Sequence, residues 1–149
     1  MIRIFIAAIL YLISLITQAQ GNSNQEQLIT DPSFTIKTMV GQMNNDTDTV
    51  YFELFRSEED FNNRKHLEVR AVKADKNGVA VTFGHITEGV YAIPCLYDEN
   101  DNGNIDFNGN GMPLEDYGAN NNVMNLGPPS FSDAKFEVTD KDLTFDIRF

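Results

Sequence analysis

Short apolar runs with a period of two, each closed by turn-forming residues, constrain this chain more than any other feature of it. At 50–56, Val50, Phe52 and Leu54 alternate with Tyr51, Glu53 and Phe55, and that period sends successive side chains to opposite faces of a strand. Leu67, Val69 and Ala71 alternate in the same way with Glu68 and Arg70, and Val79, Val81 and Phe83 with Ala80 and Thr82. Leu143, Phe145, Ile147 and Phe149 line one face of the last run. Strands are therefore predicted at 34–40, 50–56, 67–74, 79–83, 90–97, 134–138 and 143–149. Asp75-Lys76-Asn77-Gly78 reads as a hairpin turn between the third and fourth. The charged stretch SEEDFNNRKH reads as a crossing with a short helical turn, opened by Ser57 as its cap with acids behind it. Pro94, inside the 90–97 run, points to an edge or a bulge. About seven short strands and no long helix predict an all-β fold, an antiparallel β-sandwich.

One stretch breaks the strand pattern. From Asp98 to Phe131 the chain is acidic and rich in Asn and Gly, too long to be idle in so small a domain. Its first residues have the spacing of a calcium loop: side-chain oxygens at positions 1, 3 and 5, a glycine at 6 and a backbone carbonyl at 7. Asp98, Asn100, Asn102, Gly103 and Asn104 occupy those positions, and Asp106 falls at position 9. Position 12, where a bidentate Glu belongs, holds Gly109. A hard divalent cation takes six to eight oxygens, so Glu115, ahead of Asp116, is expected to complete the shell. The candidate ligands of calcium (Ca2+) are thus Asp98, Asn100, Asn102, Asn104, Asp106 and Glu115. The competing reading is a set of turns, which Asp, Asn and Gly make without any metal.

The two ends and the charge bound the class. Residues 1–19 carry one basic residue, Arg3, then the apolar run IFIAAILYLISLI and Thr17-Gln18-Ala19, a small-x-small cleavage site. The run is too short to span a bilayer, which needs about 20 residues, and no Cys follows it to take a lipid. A signal peptide over 1–19 and an exported domain over 20–149 are expected, with 20–32 loose. Removal of Arg3 with the leader leaves 10 basic residues against 22 acidic ones, a formal charge of −12. That balance disfavours nucleic acid, whose affinity rests on Lys and Arg contacts to phosphate. Cys95 is the single cysteine, so no internal disulfide forms despite export. Its place within AIPCLY predicts a buried, inert thiol.

Other chemistry is thin. His66 and His85 have no fixed partner with metal-ligand spacing. Ser130 and Ser132 sit in a Pro-rich turn with no nucleophile elbow around them. No catalytic residue is assigned.

The run GVYAIPCLYDENDNGNIDFNGNGMPLEDYG, with the NNN and GPPSFSDAKFEV that follow, resembles the signature of domain-of-unknown-function family 2141, short exported bacterial proteins. The shared features fall on Gly89-Val90-Tyr91-Ala92, on 98–106, on the P-x-E-x-Y-G segment at 113–118, on Asn120 to Asn122, and on the P-x-F-x-x-A-x-F lead at 129–136. Ala119-Asn120 departs from the family's usual Phe-Ser-Asn. The resemblance implies a secreted or periplasmic, prealbumin-like or immunoglobulin-like sandwich and brings no catalytic residues with it.

The expected function is accordingly a binding or adhesion module, stiffened by calcium, that presents the long loop to a surface glycan, a peptide or another exported protein. The alternatives are a structural accessory with a purely structural metal loop and an enzyme with an unrecognised site. A deep pocket beside the loop would favour the enzyme.

Overall fold

A computed structural model describes residues 32–43, 45–123 and 127–149; the expected leader and nearly all of the loose stretch lie outside them. The alternating runs form strands: β1 Phe34–Val40, β2 Thr49–Leu54, β3 Glu68–Lys73, β4 Val79–Ile86, β5 Gly89–Tyr91, β6 Pro94–Asp98, β7 Tyr117–Ala119, β8 Phe136–Val138 and β9 Leu143–Ile147. They build a three-stranded sheet in the order β4-β1-β9, a four-stranded sheet in the order β3-β2-β6-β7, and the pair β5-β8. The first two sheets share one core. Ile36, Val40, Val81, Phe83 and Ile147 from the first meet Val50, Phe52, Leu54, Cys95 and Tyr97 from the second. These are inward residues of alternating runs, whose apolar area is removed from water together; the run at 67–74 differs, since Leu67, Val69 and Ala71 are exposed and Val72 and Ala74 take the core side.

Five other features differ from the sequence-based expectation. There are nine strands among the described residues rather than about seven, and one pairing, β1 with β9, is parallel. The turn at 75–78 forms, with Gly78 N–H donating to the Asp75 carbonyl at 2.8 Å, yet it is not a hairpin. β3 pairs with β2 and β4 with β1, so the turn carries the chain from one sheet to the other. The run expected as one strand at 90–97 splits at Ala92-Ile93: β5 pairs with β8 and β6 with β2. Pro94 opens β6, an interior strand, at the first-residue position where a missing N–H is tolerated. Finally, the chain before β8 is helical.

Two short helices lie on the second sheet's side. Helix α1, Glu58–Asn62, starts where expected, with Ser57 accepting from Asp60 N–H. Helix α2, Phe131–Ala134, carries a complete capping box between Ser130 and Asp133. With Phe55, Ala92 and Ala119 they form a second apolar cluster that includes Phe61, Phe131 and Ala134. The outer face of the second sheet is therefore partly roofed. No helix among the described residues is long and apolar enough to cross a membrane.

Candidate metal site

β6 ends on Asp98, and its period of two puts Pro94, Leu96 and Asp98 on the roofed outer face, opposite the core residues Cys95 and Tyr97. The Asp98 carboxylate is fully buried. Its Oδ1 accepts from the backbone N–H groups of Asn100 and Asn102, both at 3.2 Å, and its Oδ2 from Gly103 N–H at 2.6 Å. The loop can curl this tightly because Gly103 takes a φ of +72°, a conformation that glycine adopts without steric cost. Asp101 also has a positive φ, which Asp tolerates better than most residues.

The turn is repeated along the loop. Asn100 Oδ1 accepts from Asn102 N–H at 3.1 Å and Asn102 Oδ1 from Asn104 N–H at 2.7 Å. The amide nitrogens of Asn100 and Asn102 both donate to Asp106 Oδ2. Asp98, Asn100, Asn102 and Asp106 are thereby drawn round one turn of chain. Asn104 behaves differently: its side chain is exposed and accepts from Arg64 Nη1 at 3.1 Å, so only its carbonyl remains as a candidate ligand.

Glu115 closes the loop from the far side. It is 6% exposed, and its two oxygens take separate loop N–H groups, Glu99 at 3.1 Å and Asp106 at 3.0 Å. Leu114 N–H to the Asp106 carbonyl, the bridge between Phe107 and Pro113, and Asn108 N–H to the Met112 carbonyl zip 106–114 into a small arm. The structure thus brings Glu115 onto the loop, while Asp116 is exposed and uses its carbonyl to accept from Tyr97 N–H.

Among the described residues, Asp98, Asp106 and Glu115 have no Lys, Arg or His partner at ion-pair distance. The basic residue nearest in function, Lys73, pairs instead with Asp101 at 3.6 Å, and Thr49 Oγ1 donates to the same carboxylate at 2.6 Å. Asp101 is thus an outward tether to β2 and β3. Lys73, Thr49 and Arg64 fix the loop, and nothing local in the sequence marks them. They lie up to 52 residues away along the chain.

The donor set can be tested against a hard cation. A carboxylate offers about four lone-pair sites and an amide oxygen two. Asp98 spends three on N–H groups, Glu115 two, and the two Asn oxygens one each. Each keeps acceptor capacity, as oxygen-only coordination requires. Among the described residues no group of three His, Cys, Asp or Glu side chains is arranged to hold a metal, so amide and carbonyl oxygens would have to supply part of the shell.

Cys95 is buried, and its burial, with Glu53 nearby, pushes the thiol well above its usual range. That is the behaviour expected of an inert packing residue.

A family profile described as "Uncharacterized protein conserved in bacteria (DUF2141)" matches residues 38–146. No curated protein and no solved structure matches the chain.

Proposed function

The chain belongs to that bacterial family, and on this premise we propose that it is an exported β-sandwich of the immunoglobulin-like or prealbumin-like kind, stabilised by calcium, that acts as a binding or adhesion module. Asp98, Asn100, Asn102, the carbonyl of Asn104 and Glu115 supply the direct ligands, with Asp106 at the position that often acts through a water. One observation carries the reading: two carboxylates buried to 0% and 6% exposure face one loop, with no basic partner among the described residues. A buried anion is costly unless it is hydrogen-bonded, paired or coordinates a metal; here backbone N–H groups supply the hydrogen bonds, and the remaining lone pairs are left for a cation.

With Glu115 in place of a position-12 acid, the expected dissociation constant is about 0.1–1 mM, the range of extracellular calcium modules. The partner surface is the 106–114 arm, whose Phe107, Met112 and Leu114 are 50%, 64% and 61% exposed. Apolar side chains clustered on a small arm are a usual mark of a contact surface. The partner is a surface glycan, a peptide or another exported protein.

Thermal melts of the mature chain in chelator and in excess calcium test the metal. At 100 times the dissociation constant the gain is about 2.7 kcal/mol, or about 10 °C at about 3–4 °C per kcal/mol. Magnesium gives less, because it holds its waters and needs a tighter octahedron. Asp98→Asn is expected to remove most of the shift, and Asp101→Asn, whose carboxylate points to Lys73, to keep it. Superimposed melts of the wild type in the two buffers would leave the loop as a set of turns.

A further inference from the structure

Beside the loop, on the roofed face of the second sheet, lies a cavity of about 130 Å³ that opens to solvent. Phe61 of α1, Leu96 of β6, Ile105 of the loop and Tyr117 of β7 form its apolar walls, and Glu53 and Arg64 are its charged lining residues. Those two side chains differ in one respect. Glu53 Oε1 is engaged by His66 Nε2 at 3.3 Å. The Arg64 guanidinium makes no ion pair among the described residues, and its hydrogen bond goes to a neutral amide, Asn104 Oδ1.

Arg64 also stands where glycine is the default. Lys65 N–H donates to the Asp60 carbonyl at 2.8 Å and Arg64 N–H to the Phe61 carbonyl at 3.2 Å, with Arg64 at a φ of 53°. These are the two hydrogen bonds of a Schellman cap, whose left-handed residue is normally Gly. The cap needs only the backbone, so it does not account for an arginine there. The guanidinium does, through its bond to Asn104 and its place at the pocket.

We propose that this cavity is a binding site for a compact apolar group bearing a carboxylate, with the apolar body between Phe61, Leu96, Ile105 and Tyr117 and the carboxylate on Arg64. The size fits: a cavity of roughly 150 Å³ holds benzene, and this one is open on one side. The charge fits as well, since a guanidinium takes a carboxylate through two parallel hydrogen bonds. The chain's overall acidity repels anions at long range, so recognition has to come from Arg64, the one cation among the described lining residues and one without an ion pair among the described residues. The same chemistry is presented by a free aryl or alkyl carboxylic acid and by the C-terminal residue of a peptide. Calcium occupancy of the loop is not required for it.

The test uses the mature chain and four probes: 3-phenylpropionate, its neutral amide, the peptide Gly-Gly-Phe with a free carboxylate, and the same peptide amidated. Binding is read by NMR from the Arg64 Nε–H and the Tyr117 ring. The acids are expected to move both signals and to bind about ten- to hundred-fold more tightly than their amides, the range for a charge-assisted hydrogen bond. Arg64→Gly is expected to lose the same factor while keeping the fold, because Gly favours that backbone conformation. Tighter binding of the peptide acid identifies a peptide terminus as the source, and tighter binding of phenylpropionate a free small acid. Equal binding of acid and amide, undiminished binding of the acid by Arg64→Gly, or no shift at tens of millimolar of either acid overturns the proposal.

Discussion

Replacing Glu115 with Ala separates the two roles its carboxylate can have. In the structure that side chain is a clasp: buried, with one oxygen on Glu99 N–H and the other on Asp106 N–H. The two N–H groups lie at opposite ends of the loop turn, so one side chain holds both ends. Alanine removes two hydrogen bonds to a charged acceptor and leaves two N–H groups without it. A bond of this kind contributes about 1.5–3 kcal/mol. Water can reach part of the vacated space, so the lower end applies, giving about 3 kcal/mol in total. That corresponds to a midpoint lowered by about 10 °C for a domain of this size. Urea or thermal unfolding in chelator is the assay, because it removes any metal contribution from the comparison. Glu115→Gln, which retains one acceptor oxygen, should fall between the two. If Glu115→Ala in chelator unfolds within about 0.5 kcal/mol of the wild type, the ordinary scatter of surface substitutions, the clasp contributes nothing and the loop is held elsewhere. A larger loss in calcium than in chelator would add ligation to the clasp.

Three further outcomes follow from single positions. A Cβ on Gly118 would lie 2.5 Å from the Arg148 carbonyl oxygen and 2.8 Å from Ile147 Cγ2, so Gly118→Ala must push β7 off the end of β9 and should cost roughly 3 kcal/mol by urea unfolding; a neutral result would refute that contact. Thr38 is fully buried in β1 with its hydroxyl unpartnered, so Thr38→Val, of equal volume, should stabilise by about 1 kcal/mol and raise the melting midpoint, whereas a drop would mean that the hydroxyl is satisfied. Tyr97, 1% exposed, has its hydroxyl raised from 10.0 to about 12, first by burial and then by Asp48. Because the folded value lies above the unfolded one, the stability it contributes is complete below pH 10 and is lost as pH rises from 10 to about 12, in all about 2–3 kcal/mol. Base titration of the fold should show that slope and lose it in Tyr97→Phe, and an unchanged slope would assign the alkaline transition to other groups such as Cys95.

The period-two runs determined most strands, and for most of them the inward residues, directly; β3 is the exception, with Val69 and Ala71 of its apolar set exposed and Val72 packed on the core. Val50, Phe52 and Leu54 face the core as their spacing requires, because alternation is a local property of an extended chain. Ser57 likewise marked the start of α1, since a cap acts on N–H groups within one turn. The Asp98-to-Asp106 spacing placed its side chains on one tight turn for the same reason. The Ser130–Asp133 capping box was not read from the sequence, where the prolines stood as a turn leading into a strand, and α2 came from the structure alone.

Which strands would be neighbours was not legible. Alternation tells a strand which face to bury and says nothing about its partner, so the turn at 75–78 looked like a hairpin although it joins two sheets, and the 90–97 run looked continuous although its halves pair with β8 and β2. The same limit applies to the site. Glu115 could be named from proximity in sequence, but its grip on both ends of the loop, the tether of Asp101 to Lys73 and Thr49, and the approach of Arg64 to Asn104 depend on chain segments 9 to 52 residues apart. Contacts of that kind exist only after the sheets have packed, because core burial, and no local preference of the loop, brings those segments together.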